Sequence, residues 1–582
     1  MENKTIKLKI NGIDIEAPAG ATILEAARII GIEIPTLCYL KDINAIGSCR
    51  ICVVEVKGAR TLVTACVYPV SEGMEVTTNS LTVQNARKLT LELILSNHRK
   101  DCLNCLRNQN CELQFLAKEF GLEHIRFGEV KNEPQIEDST AHLVRDNSKC
   151  ILCRRCVAAC KNMQHISVIG PNDRGFDTHI SSAFDKNLAD VPCVSCGQCI
   201  TVCPTGALTE KDHTDKIWEA LNDPTKHVVV GTAPSIRANL GECFGMPIGT
   251  NVEGKMVAAL RRLGFAGVFD VDTAADVTIM EEGTELLERL SKGGPLPLIT
   301  SCSPGWVKFC EYYYPEFLPN ISTCKSPQQM FGALMKTYYA KQKGIDPKDI
   351  VVVGVMPCTA KKFEVTRGMQ AVEGLNDVDI SITSRELGRM ISRAGIMFKS
   401  LPDEKFDPAF GEASGAGHIF GATGGVMEAA LRTVAEIVTG KQLEKLDFTE
   451  VRGIAGIKEA EYDLAGTVVK VAVASGLANA RKLLERIKSG EATYHFVEIM
   501  GCPGGCVNGG GQPVQPASVR NFVDLRSIRA KALYDEDQAM TLRKSHENPT
   551  VQKIYSEFLE KPGSHKAHRI LHTHYLARKQ YL

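Results

Sequence analysis

The chain has 582 residues, 68 basic and 68 acidic side chains, and therefore a formal net charge of zero. This length predicts several domains, and the neutral charge gives no indication of a nucleic-acid partner. The first residues contain no apolar signal core and no run of 18 apolar residues occurs, so we expect a cytoplasmic protein without membrane spans. Because cytoplasmic thiols stay reduced, the 22 cysteines indicate metal ligands rather than disulfides.

Residues 1–79 predict a small α+β domain that holds one metal centre. Residues 4–16 form two alternating strands around Asn11-Gly12, and residues 21–32 have the apolar spacing of a helix. Four cysteines with a single C-x2-C pair are compatible with either a zinc ion or a 2Fe–2S cluster. The segment resembles the 2Fe–2S ferredoxin-like domain of the large cluster-bearing subunit of respiratory complex I. That resemblance implies a 2Fe–2S cluster on Cys38, Cys49, Cys52 and Cys66.

Residues 80–124 contain a histidine and three cysteines at ligand spacing. A single histidine after a helix is usually a solvated or capping side chain, but the three cysteines that follow predict a 4Fe–4S cluster with one imidazole ligand. A neutral imidazole in place of a thiolate should raise the potential of such a cluster. The same arrangement follows the 2Fe–2S domain in complex I. The predicted ligands are His98, Cys102, Cys105 and Cys111.

Residues 140–212 contain two copies of the spacing C-x2-C-x2-C-x3-C, which is the signature of a ferredoxin with two 4Fe–4S clusters. In that pattern the fourth cysteine of each copy ligates the cluster of the other copy. The first predicted set is therefore Cys150, Cys153, Cys156 and Cys203. The second predicted set is Cys193, Cys196, Cys199 and Cys160.

Residues 225–582 alternate between apolar strand segments and helical segments, which predicts a large α/β domain with mainly parallel sheets. The predicted strands lie in residues 226–232, 267–272, 295–302, 349–358 and 494–502, and a predicted helix covers 274–290. We expect Ser235 to cap a helix that follows the first strand. Ligands gather at the carboxyl ends of such strands, so the cysteine motifs that follow them should converge on one site. The glycine-rich segment from 421 lacks a Gly-Lys-Ser/Thr ending and predicts close packing near that site rather than nucleotide binding.

Three cysteine motifs stand far apart in this region. They are TSCSPGW at 300–306, MPCTAKKFE at 356–364 and EIMGCPGGCVNGGGQP at 498–513. Together they resemble the three signature segments of the iron-iron (FeFe) hydrogenases, and the resemblance extends over residues 225–570. The whole chain therefore predicts a multidomain fold, in which three amino-terminal cluster domains precede a hydrogenase catalytic domain.

The resemblance implies an H-cluster, in which a 4Fe–4S cluster is bridged to a two-iron unit with CO, cyanide and a dithiolate. Cys358, Cys502 and Cys506 match three of its cysteine ligands, and Cys506 would form the bridge. Cys302 matches the thiol that passes protons to the two-iron unit. The proton path then continues through Glu282, Ser322, Glu285 and Arg289. The positions that surround the two-iron unit are Pro234, Ser235, Gln328, Met356, Lys361, Phe420 and Met500. The alternative for the glutamates is an ordinary solvated helix face.

Ser303 departs from the family pattern. The family usually has a second cysteine at this position, as a cluster ligand, and a serine hydroxyl deprotonates much less readily than a thiol. The sequence therefore offers four candidates for the fourth ligand of the catalytic 4Fe–4S cluster, which are Ser303, Cys302, Cys310 and Cys324.

The predicted activity is the reversible reaction H2 ⇌ 2 H+ + 2 e−, with electrons relayed through one 2Fe–2S and three 4Fe–4S clusters. The expected partners are ferredoxin, a flavoprotein that handles NAD(P)H and small 2Fe–2S subunits, as in an electron-bifurcating complex. Two alternatives are an electron-carrying subunit of an NADH dehydrogenase and a hydrogenase-like protein of iron–sulfur assembly or hydrogen sensing. The first leaves the three distal motifs unexplained, and Ser303 favours the second.

Overall fold

The amino-terminal domain is a five-stranded sheet with one helix. The computed structural model describes residues 4–128, 133–464 and 466–580. The predicted hairpin is confirmed, because Asn11 and Gly12 both have positive φ and join two antiparallel strands. The predicted helix is also confirmed, and Thr22 caps it in a reciprocal arrangement with Glu25. The strands are Thr5–Ile10, Ile13–Pro18, Val53–Val56, Val63–Thr64 and Glu75–Thr77, and the helix is Ile23–Ile29.

The second segment packs directly on the first. Its helices are Leu81–Ser96 and Glu112–Glu119. Leu91 and Leu113 from these helices share one apolar core with Leu37 and Ile51 from the amino-terminal domain. The two cluster-bearing segments are therefore held as one packed body.

The two cysteine repeats have the same backbone. In each repeat a residue with positive φ precedes the second cysteine and another follows it, at Leu152 and Arg154 in the first copy and Ser195 and Gly197 in the second. A short helix then begins in each copy. These helices are Arg155–Ala158 and Gln198–Thr201, and the strands of this region are Ile136–Glu137, Leu143–Asp146, Gly170–Asn172, His179–Ser181 and Leu208–Glu210.

The catalytic region contains two four-stranded sheets. The first is entirely parallel, with the spatial order Gly267–Asp270, His227–Thr232, Ile350–Met356 and Ile380–Thr383. The second has the order Leu298–Ile299, Phe496–Met500, Thr467–Ser475 and Ile457–Leu464, and only its last pair is antiparallel. A small hairpin pairs Ala371–Val372 with Leu375–Asn376. The strands predicted in this region are confirmed. The sequence did not predict the two strands of this hairpin or the strands Ile380–Thr383, Ile457–Leu464 and Thr467–Ser475.

Helices surround both sheets. The helix predicted over 274–290 is confirmed and covers Asp272–Lys292. The predicted role of Ser235 as a helix cap is wrong, because the helix begins at Pro234 and Ser235 lies inside it. The other helices of the described region are Glu253–Leu263, Pro304–Tyr313, Pro327–Leu334, Ala340–Lys343, Ala360–Glu364, Ser384–Arg393, Gly415–His418, Gly425–Thr439, Leu477–Lys488, Ala517–Arg520, Leu525–Ala539, Pro549–Ile554 and His565–Leu571, and Thr214–Asn222 precedes the first strand.

Candidate cluster sites and catalytic cavity

The four cysteines of the amino-terminal domain lie close together, with side-chain hydrogen bonds in the pairs Cys38–Cys49, Cys38–Cys66 and Cys52–Cys66. Hydrogen bonds from Cys49 and Cys66 lower the pKa of Cys38 to about 2, and a hydrogen bond from Cys66 lowers the pKa of Cys52. Three of the four side chains are buried and Cys49 is half-buried. Such a compact set of four sulfurs fits the donor set of a 2Fe–2S cluster.

His98 is buried and has a free ring nitrogen. Burial is the main cause that lowers the pKa of His98 to about 4, so the ring is neutral. Its Nδ1 has no hydrogen-bond partner among the residues that the structure describes. Cys105 lies close enough to affect the pKa of both Cys102 and Cys111 electrostatically. A neutral imidazole with an unpartnered ring nitrogen is in the state that a histidine metal ligand requires.

Each of the two cysteine sets of the repeat region lines its own cavity. One cavity is lined by Cys150, Cys153, Cys156 and Cys203. The other is lined by Cys160, Cys193, Cys196 and Cys199. Burial raises the pKa of the thiols that line the second cavity, so bound metal must displace their protons.

Two basic side chains that the sequence did not indicate lie at or beside this second cavity. The imidazole of His142 lines it, with Nε2 at 3.8 Å from Sγ of Cys193. Lys308 is buried and donates a hydrogen bond of 3.2 Å to Oγ of Ser195. His142 is 51 positions from Cys193 in sequence, outside any motif, so sequence spacing carried no signal for this contact.

Hydrogen bonds connect the amino-terminal sites to the first repeat cavity. The amide of Asn44 donates to the carbonyl oxygen of Cys38 at 2.8 Å and to that of Cys153 at 3.0 Å. Arg107, which lies between Cys105 and Cys111, donates to the carbonyl oxygen of Cys203 at 3.1 Å. The 2Fe–2S site and the histidine-containing site therefore both adjoin the cavity of Cys153 and Cys203.

The second repeat cavity adjoins the distal motifs. Thr359 of the MPCTAKKFE motif donates to the carbonyl oxygen of Ser195 at 2.8 Å. Gln198 donates to the carbonyl oxygen of Asn508, in the glycine-rich motif, at 2.9 Å. A Cβ atom at Gly510 would lie 2.2 Å from the carbonyl oxygen of Cys196, so the two backbones are in close contact there.

A buried cavity brings the three distal motifs together. The carboxyl ends of the strands His227–Thr232, Leu298–Ile299, Ile350–Met356 and Phe496–Met500 lead into its walls, as the α/β pattern predicted. Its lining includes all the predicted catalytic-cavity residues except Ser235. These are Cys302, Ser303, Cys358, Cys502, Cys506, Pro234, Gln328, Met356, Lys361, Phe420 and Met500.

Ser235 lies outside that lining. It is buried, and its Oγ accepts a hydrogen bond of 3.1 Å from Gln512. Conversely, Asp272 lines the cavity although the sequence did not indicate it. One carboxylate oxygen of Asp272 accepts a hydrogen bond of 2.9 Å from Arg237, which also bonds Asp270 at 2.7 Å.

Of the four candidates for the fourth ligand, only Cys302 and Ser303 lie at the cavity. Cys310 donates to the carbonyl oxygen of Tyr314 at 3.1 Å, and Cys324 lies 4.0 Å from Oε2 of Glu285. Oγ of Ser303 accepts a hydrogen bond of 3.1 Å from the backbone N–H of Gly501.

The buried part of the predicted proton path begins at Cys302. Burial, followed by the charge of Glu282, holds the pKa of the Cys302 thiol well above its usual value. Burial also raises the pKa of Glu282 to about 8, with a smaller contribution from the charge of Glu285. Oε1 of Glu282 accepts hydrogen bonds from the backbone and hydroxyl of Ser301, while Oε2 finds no partner in the described part of the chain. Glu282 is therefore a protonated carboxyl at neutral pH rather than part of a solvated face.

The outer part of the path is continuous. The hydroxyl of Ser322 donates to Oε2 of Glu285 at 2.8 Å and lies close enough to Glu282 to lower the pKa of that carboxyl against the stronger effect of burial. Arg289 donates to Oε1 of Glu285 at 2.6 Å. Because Glu282, Glu285 and Arg289 are three and four positions apart, one face of the helix Asp272–Lys292 carries all three.

Five family models match the chain. The matches are the C-terminal domain of the iron only hydrogenase large subunit at 226–510, the iron hydrogenase small subunit at 523–578, a 2Fe-2S iron-sulfur cluster binding domain at 3–81, the NADH-ubiquinone oxidoreductase-G iron-sulfur binding region at 87–126 and a 4Fe-4S dicluster domain at 149–207. Residues 523–578 lie inside the predicted catalytic domain, and the sequence alone gave no sign of a separate unit there.

Known proteins match over nearly the whole chain. The NADP-reducing hydrogenase subunit HndD of Solidesulfovibrio fructosivorans is 50% identical, with 99% of each chain covered. Iron hydrogenase 1 of Clostridium pasteurianum is 46% identical, with 97% of this chain and 99% of its own covered. A solved variant of the apo [FeFe]-hydrogenase HydA1 from Chlamydomonas reinhardtii is 43% identical, with a TM-score of 0.57, and covers 63% of this chain and 100% of its own.

Proposed function

Because this chain belongs to the iron-only (FeFe) hydrogenase family, we propose that it interconverts dihydrogen with protons and electrons at the catalytic cavity. The observation that carries this proposal is the convergence of Cys302, Cys358, Cys502 and Cys506 on one buried cavity. These residues come from three motifs that span about two hundred positions, so only the fold brings their sulfurs together.

The donor set of the cavity fits the H-cluster of the family. The thiolates of Cys358, Cys502 and Cys506 would hold it, with Ser303 as the fourth ligand and Cys302 left as a free thiol. When bound, this group supplies the redox-active iron at which dihydrogen is split. The apolar side chains of Pro234, Met356, Phe420 and Met500 line the same cavity and exclude water from it, and the Lys361 ammonium donates to the carbonyl oxygen of Cys302 at 3.2 Å.

The residues of the chain move protons between the cavity and the surface. Cys302 exchanges a proton with Glu282, whose carboxyl is protonated at neutral pH because of its burial. The hydroxyl of Ser322 contacts both Glu282 and Glu285, so it can accept a proton from one carboxyl while it donates its own to the other. Arg289 holds Glu285 at the outer end of this route.

The amino-terminal clusters would form a forked electron route. The 2Fe–2S site on Cys38 and the histidine-containing site at His98 both adjoin the cavity of Cys153 and Cys203, which leads through the Cys196 site to the catalytic cavity. Two entry points suit two electron partners. We assign these to ferredoxin and to an NAD(P)H-linked flavoprotein with small 2Fe–2S subunits, since HndD is named a subunit of an NADP-reducing hydrogenase.

We further assign the protein to the cytoplasm as a catalytic subunit of an electron-bifurcating complex. Within the described ranges, no helix has the length and apolar character that crossing a bilayer requires.

The experiment that tests the activity is infrared spectroscopy of the protein matured with its iron cofactors, combined with hydrogen evolution from reduced viologen. We expect bands from metal-bound CO and cyanide together with turnover. An iron–sulfur assembly protein or a pure electron carrier shows neither, and that result would contradict the proposal.

A further inference from the structure

We propose that His142 is a positioning residue that donates its Nε2–H to Sγ of Cys193 and thereby raises the midpoint potential of the 4Fe–4S cluster next to the catalytic cavity. The inference rests on the proposed function, because it takes Cys160, Cys193, Cys196 and Cys199 as the ligands of that cluster.

The geometry places the imidazole at the cluster site. Nε2 of His142 lies 3.8 Å from Sγ of Cys193, and the ring lines the same cavity as the four sulfurs. His142 is 2% exposed, so the contact is shielded from water. Shielding matters because competition from water weakens hydrogen bonds, and a low local dielectric strengthens them.

The backbone holds the ring in this place. His142 immediately precedes the strand Leu143–Asp146, which pairs in antiparallel register with Leu208–Glu210. The carbonyl oxygen of His142 accepts a hydrogen bond of 3.2 Å from the backbone N–H of Lys211. The strand Leu208–Glu210 follows the second cysteine repeat, so the sheet ties His142 to the segment that carries the cluster ligands.

The direction of the hydrogen bond follows from the chemistry of the sulfur. A cysteine bound to iron is a thiolate, which has lone pairs and no proton, so it can only accept. Nε2 must therefore carry the hydrogen. Reduction adds negative charge to the cluster and its sulfurs, and the N–H···S bond becomes stronger in that state. Hydrogen bonds to the sulfurs are among the factors that set iron–sulfur potentials, and this one shifts the potential upward.

A cationic group also acts at the same ligand. Lys308 bonds Ser195, which lies between Cys193 and Cys196, and its charge lowers the pKa of Cys193 against the stronger effect of burial. The carboxylate of Glu137 acts on Cys193 in the opposite direction. His142 is the group of this set whose atom contacts the sulfur, so its removal isolates the hydrogen bond from the surrounding charges.

The position of this cluster gives the hydrogen bond a functional consequence. Ser195 and Cys196 contact Thr359 and Gly510, so electrons that leave the catalytic cavity reach this cluster first. A higher potential here makes that first transfer more favourable and biases the enzyme toward dihydrogen oxidation. Removal of the donor should shift the bias toward proton reduction.

The test uses the full chain with its clusters and two substitutions. His142→Leu removes the donor and keeps an apolar side chain, whereas His142→Gln keeps an N–H donor. Redox titration followed by electron paramagnetic resonance reads the midpoint potential of each cluster, and iron analysis reads cluster content. We expect His142→Leu to shift one 4Fe–4S midpoint to a more negative potential with iron content unchanged, and His142→Gln to retain most of the wild-type value. The control is His124→Leu, because His124 is exposed.

The outcomes separate this inference from the activity. Unchanged midpoints in His142→Leu, with all clusters present, overturn the role of His142 and leave the hydrogenase proposal intact. Absence of 4Fe–4S signals from the wild-type protein would overturn the ligand assignment itself. If His142→Leu does not retain the cluster, the test uses the His98→Cys variant with 15N-labelled histidine, in which the ligand imidazole is absent. Double resonance then detects any histidine nitrogen that couples to a reduced 4Fe–4S cluster. Such coupling supports the hydrogen bond from His142, and its absence contradicts it.

Discussion

At the scale of single residues, Cys302 and Ser303 are neighbours at the cavity with different proposed roles, Cys302 as a proton relay and Ser303 as a metal ligand. A proton relay needs a group that carries an exchangeable proton, and the buried Cys302 thiol, whose pKa lies well above its usual value, holds such a proton at neutral pH where a methyl group has none. A metal ligand needs a group that deprotonates readily against iron, which favours thiolate over hydroxyl. The Ser303 hydroxyl already accepts a hydrogen bond from Gly501, which partly compensates a developing negative charge.

We therefore expect Cys302→Ala to abolish turnover while iron content and the CO and cyanide bands stay intact. Infrared spectroscopy and iron analysis of the same sample measure both. Joint loss of iron and bands would show that Cys302 has taken over the ligand role instead. The companion change Ser303→Cys restores the usual family residue, so we expect activity to be equal or higher and the cluster to resist loss of iron better.

The buried carboxyl of Glu282 predicts a pH-dependent stability. Its pKa is raised from 4.5 in the unfolded chain to about 8 in the fold, so the folded state binds the extra proton between these values. Stability is therefore lost as pH rises from 4.5 to 8, by up to about 1.4 kcal/mol per pH unit. In the metal-free protein, Glu282→Gln should remove this loss. The difference in the free energy of unfolding between the variant and the wild type should therefore increase as pH rises from 4.5 to 8 and stay constant outside that window. Denaturant unfolding at several pH values measures the difference.

The control for the change of charge is Glu288→Gln, an exposed position on the same helix. A constant difference between Glu282→Gln and wild type from pH 5 to 8 would contradict the raised pKa. It would also remove the reason to treat Glu282 as a protonated relay.

At the scale of elements, the sequence predicted the turns, helices and strands that have a local residue pattern. It did not predict the side chains that reach a site only through packing between distant segments. The Asn11-Gly12 turn, the helix from 272 and the strands that precede the cysteine motifs follow from local patterns, and the structure has all of them. Ser235 has the chemistry of a cap, but Pro234 fixes φ for the first turn and the helix begins there. His142 and Asp272 reach their sites only through strand pairing and helix packing, so no motif could have indicated them.

The contact between two cysteine loops gives a prediction at this scale. The backbone at Gly510 packs against Cys196 and Gly197 so closely that a Cβ would lie 2.2 Å from a carbonyl oxygen. Because that neighbour is backbone, Gly510→Ala must separate the repeat region from the glycine-rich motif. We expect a loss of about 1–3 kcal/mol in stability and slower electron delivery to the catalytic cavity. Gly368→Ala is the matched control, since a Cβ there meets nothing within 4 Å. Equal stability of the two variants would contradict this account of the contact.

At the scale of the whole molecule, the predicted division at residue 225 leaves one helix to be assigned to a domain. The helix Thr214–Asn222 lies before that boundary, but its Ile217 is fully buried in the core of the parallel sheet. Asp212 also pairs with Arg389 at 3.0 Å, and the backbone N–H of His213 donates to Glu386 at 2.9 Å. Which core this helix joins depends on contacts with residues more than a hundred positions away, so the sequence around it does not indicate its domain.

Truncation tests this division. A chain that begins at residue 211 keeps the helix Thr214–Asn222, and one that begins at 225 loses it together with the buried side chain of Ile217. The loss of such a side chain lowers the free energy of unfolding by about 2–5 kcal/mol, because it leaves a cavity in the core. The solved Chlamydomonas chain matches over 100% of its own length while it covers 63% of this chain.

We expect the chain from 211, loaded with its catalytic cofactor, to evolve hydrogen from reduced viologen, while turnover with ferredoxin or NAD(P)H partners falls sharply without the amino-terminal clusters. The chain from 225 should be less stable by an amount in that range and retain less cofactor. Viologen-driven activity, cofactor content and unfolding midpoints of the two chains measure this. If both are equally stable, the helix belongs to the amino-terminal region after all. If the chain from 211 is folded and loaded but evolves no hydrogen, the repeat region contributes more than electron transfer to the catalytic cavity.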